Sequence, residues 1–204
     1  MNRSISPRLL RLVVASALLL GIALVGCAAP SSEPGPTPVA SPTGATKLLA
    51  EHGLTGLDAA QIIARLDTMP VADRPADLIG SVRPDVLVLT DASGNEARLP
   101  MPADKVYISV APYREQTHEC YFHSLTTCLG ELGDQEVRVV LTASDGEVLV
   151  DKVRRSYDNG FVGLWVPRGI EATLTIEHEG QAGTADISTM EVDNPTCITT
   201  LRVV

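Results

Sequence analysis

Cysteine, aromatic residues and basic charge are all scarce in this chain of 204 residues. It contains four cysteines, one tryptophan, four tyrosines and two phenylalanines, and its 16 Lys and Arg stand against 25 Asp and Glu. The resulting net charge of −9 excludes a basic stripe for nucleic acid and a polybasic membrane patch, because an acidic surface repels phosphate groups. We therefore expect no nucleic-acid partner.

Familiar catalytic and metal motifs are also missing. The chain has no C-x-x-C pair, so neither a thioredoxin-like redox motif nor the paired knuckles of a structural zinc module is present. Ser124 lies outside any G-x-S-x-G elbow, and the four methionines are scattered. These absences argue against a thioredoxin, a serine hydrolase and a methionine-rich copper box.

The N-terminus predicts an export signal over residues 1–26. Three arginines precede the apolar stretch 12–25, which is too short for an ordinary membrane span and ends at Gly26-Cys27. Small residues before a cysteine are typical of a bacterial lipobox, in which Cys27 is lipidated and becomes the mature N-terminus. The alternatives are cleavage near Ala28-Ala29 or an uncleaved anchor. We expect an exported protein that is lipid-anchored to the cell membrane on its extracytoplasmic side, in the periplasm or at the cell surface.

The remaining chain divides into three predicted regions. Residues 27–46 mix proline with Ser, Gly and Thr, which is typical of an extended tether. Residues 47–82 predict a small helical region, with apolar residues at helical spacing, Asp58 as N-cap and Pro70 as a stop. Residues 83–204 predict a mainly β domain, so the fold class is α+β, mainly β, with an antiparallel sandwich-like domain.

Alternating and β-branched runs separated by turn signals predict the strands of this domain. The predicted strands are Val86–Leu89, Glu96–Leu99, Lys105–Val110, Glu136–Thr142, Val148–Lys152, Phe161–Val166, Thr173–Glu177, Thr184–Ile187 and Ile198–Val203.

A connection of about 25 residues interrupts this β pattern, and a connection of that length usually has a function. It contains the run THECYFHSLTTC (117–128), with His118, Cys120, His123 and Cys128. Cys128 would lie about 12 Å from Cys120 along a straight helix. The segment must therefore turn near residues 124–127 if both thiols bind one ion, and Cys197 must come from the last strand.

Three thiolates and an imidazole favour Cu(I) or Zn(II) over magnesium, calcium or manganese. Zinc would close a tetrahedron of four ligands, whereas Cu(I) accepts two or three thiolates. A Cys120–Cys128 or Cys128–Cys197 disulfide with one spare thiol is the alternative in an oxidising compartment.

Three blocks of sequence resemble the CueP family of exported bacterial copper-binding proteins: APYREQTHECYFHSLTTCLGEL (111–132), GFVGLWVPRGIEATL (160–174) and PTCITTL (195–201). Residues 51–67 also resemble the N-terminal segment of that family. The resemblance implies a two-domain protein that forms a homodimer, with a copper site near the domain interface. Its ligands would be Cys120, Cys128, Cys197 and His123, with His118 as the second choice of histidine.

Three functions are consistent with these residues. The first is a Cu(I) buffer or metallochaperone for copper resistance or supply, with zinc as a substitute metal and a copper-accepting exported enzyme as partner. The second is a thiol redox protein or copper reductase that uses Cys120 and Cys128. The third is a structural β domain stapled by a disulfide. The first reading makes the chain a binding protein rather than an enzyme, apart from Cu(II)-reducing activity.

Overall fold

The computed structural model describes residues 42–204. The predicted export signal, the lipobox at Cys27 and residues 27–41 of the predicted tether lie outside the described residues. Within residues 42–204, none of the helices combines the length and the apolar character needed to span a bilayer. Helix α1 begins at Pro42, so residues 42–46, which the sequence placed in the tether, are helical. Proline is well suited to the first turn of a helix because its missing N–H has no helical partner there.

Two helices, a short 3₁₀ turn and ten strands form the described part of the chain. They are α1 (Pro42–Glu51), α2 (Ala59–Asp67), the 3₁₀ turn (Val71–Asp73), β1 (Leu78–Val82), β2 (Val86–Asp91), β3 (Glu96–Pro100), β4 (Lys105–Val110), β5 (Glu136–Ala143), β6 (Val148–Arg155), β7 (Val162–Pro167), β8 (Glu171–His178), β9 (Gln181–Ser188) and β10 (Cys197–Ile198). The predicted α+β, mainly β fold is confirmed.

Helix α2 is defined at its start by a capping box. The Asp58 side chain accepts the backbone N–H of Gln61 at 2.8 Å, and Gln61 Oε1 accepts the backbone N–H of Asp58 at 3.0 Å. These two bonds satisfy donors that a helix N-terminus otherwise leaves unpaired. The helix buries Ile62, Ile63 and Leu66 on one face, and this face continues to a fully buried carboxylate, Asp67.

The first hydrophobic core lies between the helices and a three-stranded antiparallel sheet with the order β1-β2-β3. It contains residues of both helices, of all three strands and of β4. It also contains Leu125 from the connection between β4 and β5, residues 111–135, which we call the cysteine loop. Strand β1 was missed by the sequence analysis, which assigned residues 47–82 to a helical region. The predicted boundary between residues 82 and 83 falls between β1 and β2 of this sheet.

The second core lies between two further sheets, with the strand orders β10-β4-β7 and β6-β5-β8-β9. Strands β5 and β8 alternate buried and exposed residues, as expected for strands that cover a core with one face. The pairing of β10 with β4 is parallel, and β10 spans two residues where a strand over Ile198–Val203 was predicted.

Strand β4 contributes to both cores. Val106, Ile108 and Val110 face the second core, whereas Tyr107 belongs to the first. Successive side chains of a strand point to opposite faces, so Ser109 lies on the same side as Tyr107. This side of β4 faces Asp67.

Candidate metal centre

The cysteine loop is held against the edge of β1 by backbone hydrogen bonds. Val82 N–H donates to the carbonyl oxygen of His123 at 2.8 Å, and Leu125 N–H donates to that of Gly80 at 2.8 Å. Thr196 joins the last strand to the same place, since its hydroxyl donates to Val82 O at 2.6 Å and accepts the N–H of His123 at 3.1 Å. Strand β1 therefore positions both His123 and the segment that carries Cys197.

The chain reverses direction between the two loop thiols. Residues 125–127 form a turn, which the backbone N–H of Cys128 closes by donating to Ser124 O at 3.2 Å. The Cys128 sulfur in turn accepts the N–H of Ser124 at 3.4 Å. This turn brings Cys128 Sγ to 3.5 Å from Cys120 Sγ, although a straight helix would have kept them apart.

The three cysteines meet at one point, and two of them are bonded. Cys120 and Cys197 form a disulfide across 77 residues of sequence, while Cys128 is free and buried. The disulfide is neither of the two pairings, Cys120–Cys128 and Cys128–Cys197, that the sequence analysis considered. Cys128 is the odd thiol, and its Sγ lies beside the disulfide, 3.5 Å from Cys120 Sγ.

Two overlapping groups of donor atoms surround these sulfurs. One contains His123, Cys128 and Cys197, all buried; the other contains His118, Cys120 and Cys128 and extends to the surface. The donor atoms of each group lie within 4.8 Å of one another, and Cys128 belongs to both. All five residues named from the sequence as candidate ligands are thus brought together.

His123 is fixed by a carboxylate that the sequence analysis gave no role. Its Nε2 lies 2.8 Å from Asp67 Oδ1, and both side chains are fully buried. An ionised carboxylate can only accept a hydrogen bond, so Nε2–H is the donor. The other ring nitrogen, Nδ1, lies 3.9 Å from Cys197 Sγ. Nδ1 is therefore the nitrogen that faces the sulfurs.

Asp67 is itself held by further donors from β4 and from the connection before β7. Asn159 Nδ2 donates to Oδ1 at 2.9 Å, the Tyr107 hydroxyl donates to Oδ2 at 2.7 Å, and the Ser109 hydroxyl lies 3.5 Å from Oδ2. Buried charged groups are tolerated when they are paired and hydrogen-bonded in this way. The network fixes both oxygens of the carboxylate.

The electrostatics of the buried pair favour its charged form in the metal-free protein. Burial by itself lowers the pKa of His123, but the charge and hydrogen bond of Asp67 outweigh it, with a further contribution from Cys128, and raise the pKa to about 9. Burial alone would raise the pKa of Asp67, yet His123, Tyr107 and Asn159 hold this pKa below its ordinary value of 3.8. Burial raises the pKa of Tyr107 well above 10, and Asp67 adds to this effect, so Tyr107 remains a donor.

A phenylalanine packs against the cysteines of the centre. Phe161 is fully buried and packs with Cys128, Cys197 and Ala111. Its ring centroid lies 4.6 Å from that of His123 and 6.2 Å from that of His118. One apolar wall therefore contacts both histidines.

The guanidinium group of Arg74 lies next to the backbone of Cys128 and brings a positive charge there. Its Nη1 donates to the Cys128 carbonyl oxygen at 2.8 Å, whereas its Nε and Nη2 are buried without a hydrogen-bond partner. Burial lowers the pKa of Arg74, and the charges of Asp67, Cys128 and Asp158 oppose this change. Arg74 therefore places a cation against the backbone of Cys128.

Two of these residues carried a weak signal in the sequence. Asp67 follows Ile63 by four residues, so it continues the apolar face of α2 where a charged residue is unexpected. Phe161 opens the block GFVGLW, in a chain with only two phenylalanines. Neither signal identifies a metal centre without the fold.

Comparisons with known proteins identify a matching family and a similar solved structure. A family described as "Periplasmic copper-binding protein CueP" matches residues 61–202. A solved structure titled "Crystal Structure of S.CueP" is similar, with a TM-score of 0.73 and 37% sequence identity over 82% of this chain and 100% of that chain. No curated protein matches the chain.

Proposed function

The chain belongs to the CueP family of periplasmic copper-binding proteins, and from this premise we propose that it is an exported Cu(I) buffer or metallochaperone. The ligands are Cys120, Cys128 and Cys197, with His123 as the nitrogen donor. The observation that carries the proposal is the convergence of His123, Cys128 and Cys197 donor atoms within 4.8 Å of one another.

The chemistry of these donors fits copper. Thiolates and imidazole are soft or intermediate ligands, which suit Cu(I) and Zn(II) far better than the hard cations. Cu(I) is satisfied by two or three sulfurs, so a buried cluster of three thiols can hold it without water. Zinc, which takes four ligands, would need the histidine in the same shell.

Copper binding by all three sulfurs requires reduction of the disulfide. Opening the Cys120–Cys197 bond takes two electrons and two protons, which a dithiol reductant supplies as it forms its own disulfide. The thiols then lose protons as Cu(I) binds, so affinity falls at low pH. The reduced protein is the copper-binding form, and the disulfide form described above is its oxidised counterpart.

Asp67 orients the nitrogen ligand. With Nε2–H donated to the carboxylate, Nδ1 is directed at the sulfurs and can bind the ion after losing any proton it carries. Carboxylates behind a metal-bound histidine fix the ring and raise its basicity. His123, rather than the exposed His118, is therefore the ligand of the resident ion.

The disulfide also favours a second function, reduction of Cu(II). Two thiols can reduce two Cu(II) ions to Cu(I), with formation of one disulfide and release of two protons. The bonded pair is Cys120 and Cys197, so these two sulfurs, rather than Cys120 and Cys128, are the reducing pair. Cys128 then remains to bind a Cu(I) product.

Location and partners complete the proposal. The export signal and Cys27 favour attachment to the cell membrane by lipid, and residues 28–41 would separate the copper centre from the bilayer. An exported enzyme that needs copper is the receiving partner, and the protein works as a homodimer.

Anaerobic titration of the reduced protein, in a Cys27→Ser background, tests the function. Cu(I) is delivered from a chelator of known affinity, Zn(II) is titrated in parallel, and thiols are counted by alkylation. One Cu(I) that protects three thiols supports the proposal, and Cu(II) that is reduced while two thiols disappear supports the second function. Indifference to both metals, with a permanent disulfide, would leave a stapled structural domain.

A further inference from the structure

We propose that the centre contains two overlapping copper positions that share Cys128, an inner holding site and an outer exchange site at which His118 takes part. The inner position is formed by His123, Cys128 and Cys197, with Cys120 as the third sulfur of the resident ion, and the outer position is formed by His118, Cys120 and Cys128. This proposal rests on the proposed function, since it assumes that the reduced protein binds Cu(I).

The solvent exposure of the ligands decreases from the outer position to the inner one. His118 is exposed and Cys120 is half-buried, whereas Cys128 is 8% exposed, Cys197 3% and His123 0%. An ion held only by the inner ligands is shielded from any acceptor in solution. Exchange therefore needs a ligand that reaches the surface, and a metal site needs a route by which the ion enters.

The surface around the outer set is open. His118, Glu119 and Cys120 line two adjoining surface depressions, and Cys128 also lines the one that extends towards Leu129. A small thiol or a ligand of an acceptor protein can approach Cys120 and Cys128 there. The incoming ligand does not need to reach Cys197 or His123 to take the ion.

The shared thiolate makes the transfer between the two positions short. Cys128 Sγ lies 3.5 Å from Cys120 Sγ, and the donor atoms of each set lie within 4.8 Å of one another. The ion can keep its bonds to Cys128 and Cys120 while it exchanges Cys197 and His123 for His118. At least one Cu–S bond stays intact throughout, and no electron is transferred.

The two histidines differ in how they are held, which suits the two roles. His123 is fixed by Asp67 and by the face of Phe161. His118 has an edge contact with Phe161 at 6.2 Å between centroids and otherwise faces solvent. A fixed ring favours a long-lived ligand, whereas an exposed ring can leave its position and let an incoming ligand replace it.

The test compares His118→Ala with His52→Ala in the reduced full chain. His52 follows α1 directly and belongs to neither group of donor atoms, so its replacement controls for the loss of an imidazole elsewhere. Each protein is loaded with one Cu(I), and stopped-flow absorbance follows transfer to a bidentate Cu(I) chelator and the reverse loading reaction. The equilibrium dissociation constant is measured with the same chelator.

We expect His118→Ala to slow both loading and transfer by about tenfold, which corresponds to about 1.4 kcal/mol in the barrier. Its equilibrium constant should stay within about threefold of the unchanged protein, and the nitrogen ligand in the copper X-ray absorption spectrum should persist. His52→Ala should change neither quantity.

Two results would overturn the exchange site. Unchanged rates in His118→Ala would show that His118 takes no part, and a loss of affinity together with loss of the nitrogen ligand would make His118 a resident ligand. Absence of Cu(I) binding by the unchanged reduced protein is a different outcome, because it would refute the proposed function itself.

Discussion

Replacement of Asp67 by asparagine is the sharpest test of the buried pair behind the metal centre. Asparagine keeps the size of the side chain and removes its charge. Its oxygen can still accept from His123 and Asn159 at the place of Oδ1, but its amide group then faces the Tyr107 hydroxyl, which must change from donor to acceptor. The main loss is the charge that faces His123.

The size of this loss follows from the pKa of His123. The rise from 6.5 to about 9 corresponds to about 3 kcal/mol at 1.36 kcal/mol per pKa unit. Removal of one partner of a buried ion pair commonly costs about 3 to 5 kcal/mol, which agrees. We therefore expect Asp67→Asn to lower the free energy of unfolding of the metal-free disulfide form by about 3 kcal/mol at pH 7.

The measurement is thermal unfolding followed by circular dichroism. A loss of about 3 kcal/mol in a domain of this size lowers Tm by about 6 to 12 °C. Asp58→Asn on the same helix is the matched control, because Asn caps a helix about as well as Asp. That control should lose less than about 0.5 kcal/mol.

The same variant affects the reduced protein through His123. Loss of a carboxylate behind a ligating histidine typically weakens metal binding about 10- to 100-fold, so Cu(I) affinity should fall within this range. The reasoning is refuted if Asp67→Asn unfolds within about 1 kcal/mol of the Asp58→Asn control. Such a result would mean that the pair contributes no net stability.

Three further predictions concern the loop and its supports. Gly160→Ala should be destabilised by about 1 to 3 kcal/mol more than Gly56→Ala in urea unfolding. Both glycines have a φ near +80°, so the backbone strain is the same, but only at Gly160 would a Cβ lie 2.5 Å from the Gly130 backbone. Equal losses of stability in the two variants would contradict the close contact. Reduction of the Cys120–Cys197 disulfide should lower the free energy of unfolding by about 2 to 4 kcal/mol, and binding of one Cu(I) should restore much of this stability in thermal unfolding. Cys128→Ser, which keeps the disulfide, is the control. A reduced protein as stable as the oxidised one would oppose the prediction. The Glu131 carboxylate accepts three backbone N–H groups of residues 114–116, and the bonds from Gln116 and Glu115 lower its pKa most. A lowered pKa means stabilisation that is present above pH 4.5 and lost as pH falls through the folded-state value. Glu131→Gln should thus reduce amide-exchange protection of residues 114–116 by up to about fivefold at pH 6, and the two proteins should converge in acid; a difference that persists in acid would exclude the charge as its cause.

The sequence predicted most of the fold because its strands follow a simple alternation. Strands β5 and β8 cover one core, and their buried residues recur at every second position. Strand β1 was missed because Leu78–Val82 contains Gly80 and lies just after a helical pattern, so its five residues give little periodicity. Its neighbour in the sheet, β2, is what makes it a strand.

The candidate ligands could be named from the sequence, but their pairing and their supports could not. Three cysteines allow three disulfides, and the one that forms joins the loop to β10 across 77 residues of sequence, a distance over which local spacing predicts nothing. The choice between His118 and His123 depends on burial and on Asp67, which lies 56 residues before His123. No local spacing relates those two residues.

The position of Asp67 limits how the centre could be moved to another protein. The sulfurs and His123 come from one loop and the start of β10, so a designer could graft these segments onto another β-sandwich. The graft would leave behind the carboxylate on α2, the Tyr107 hydroxyl on β4 and the Asn159 amide. Such a scaffold would receive the sulfurs with an imidazole that nothing holds in place, so the smallest transferable unit of this centre is both hydrophobic cores together.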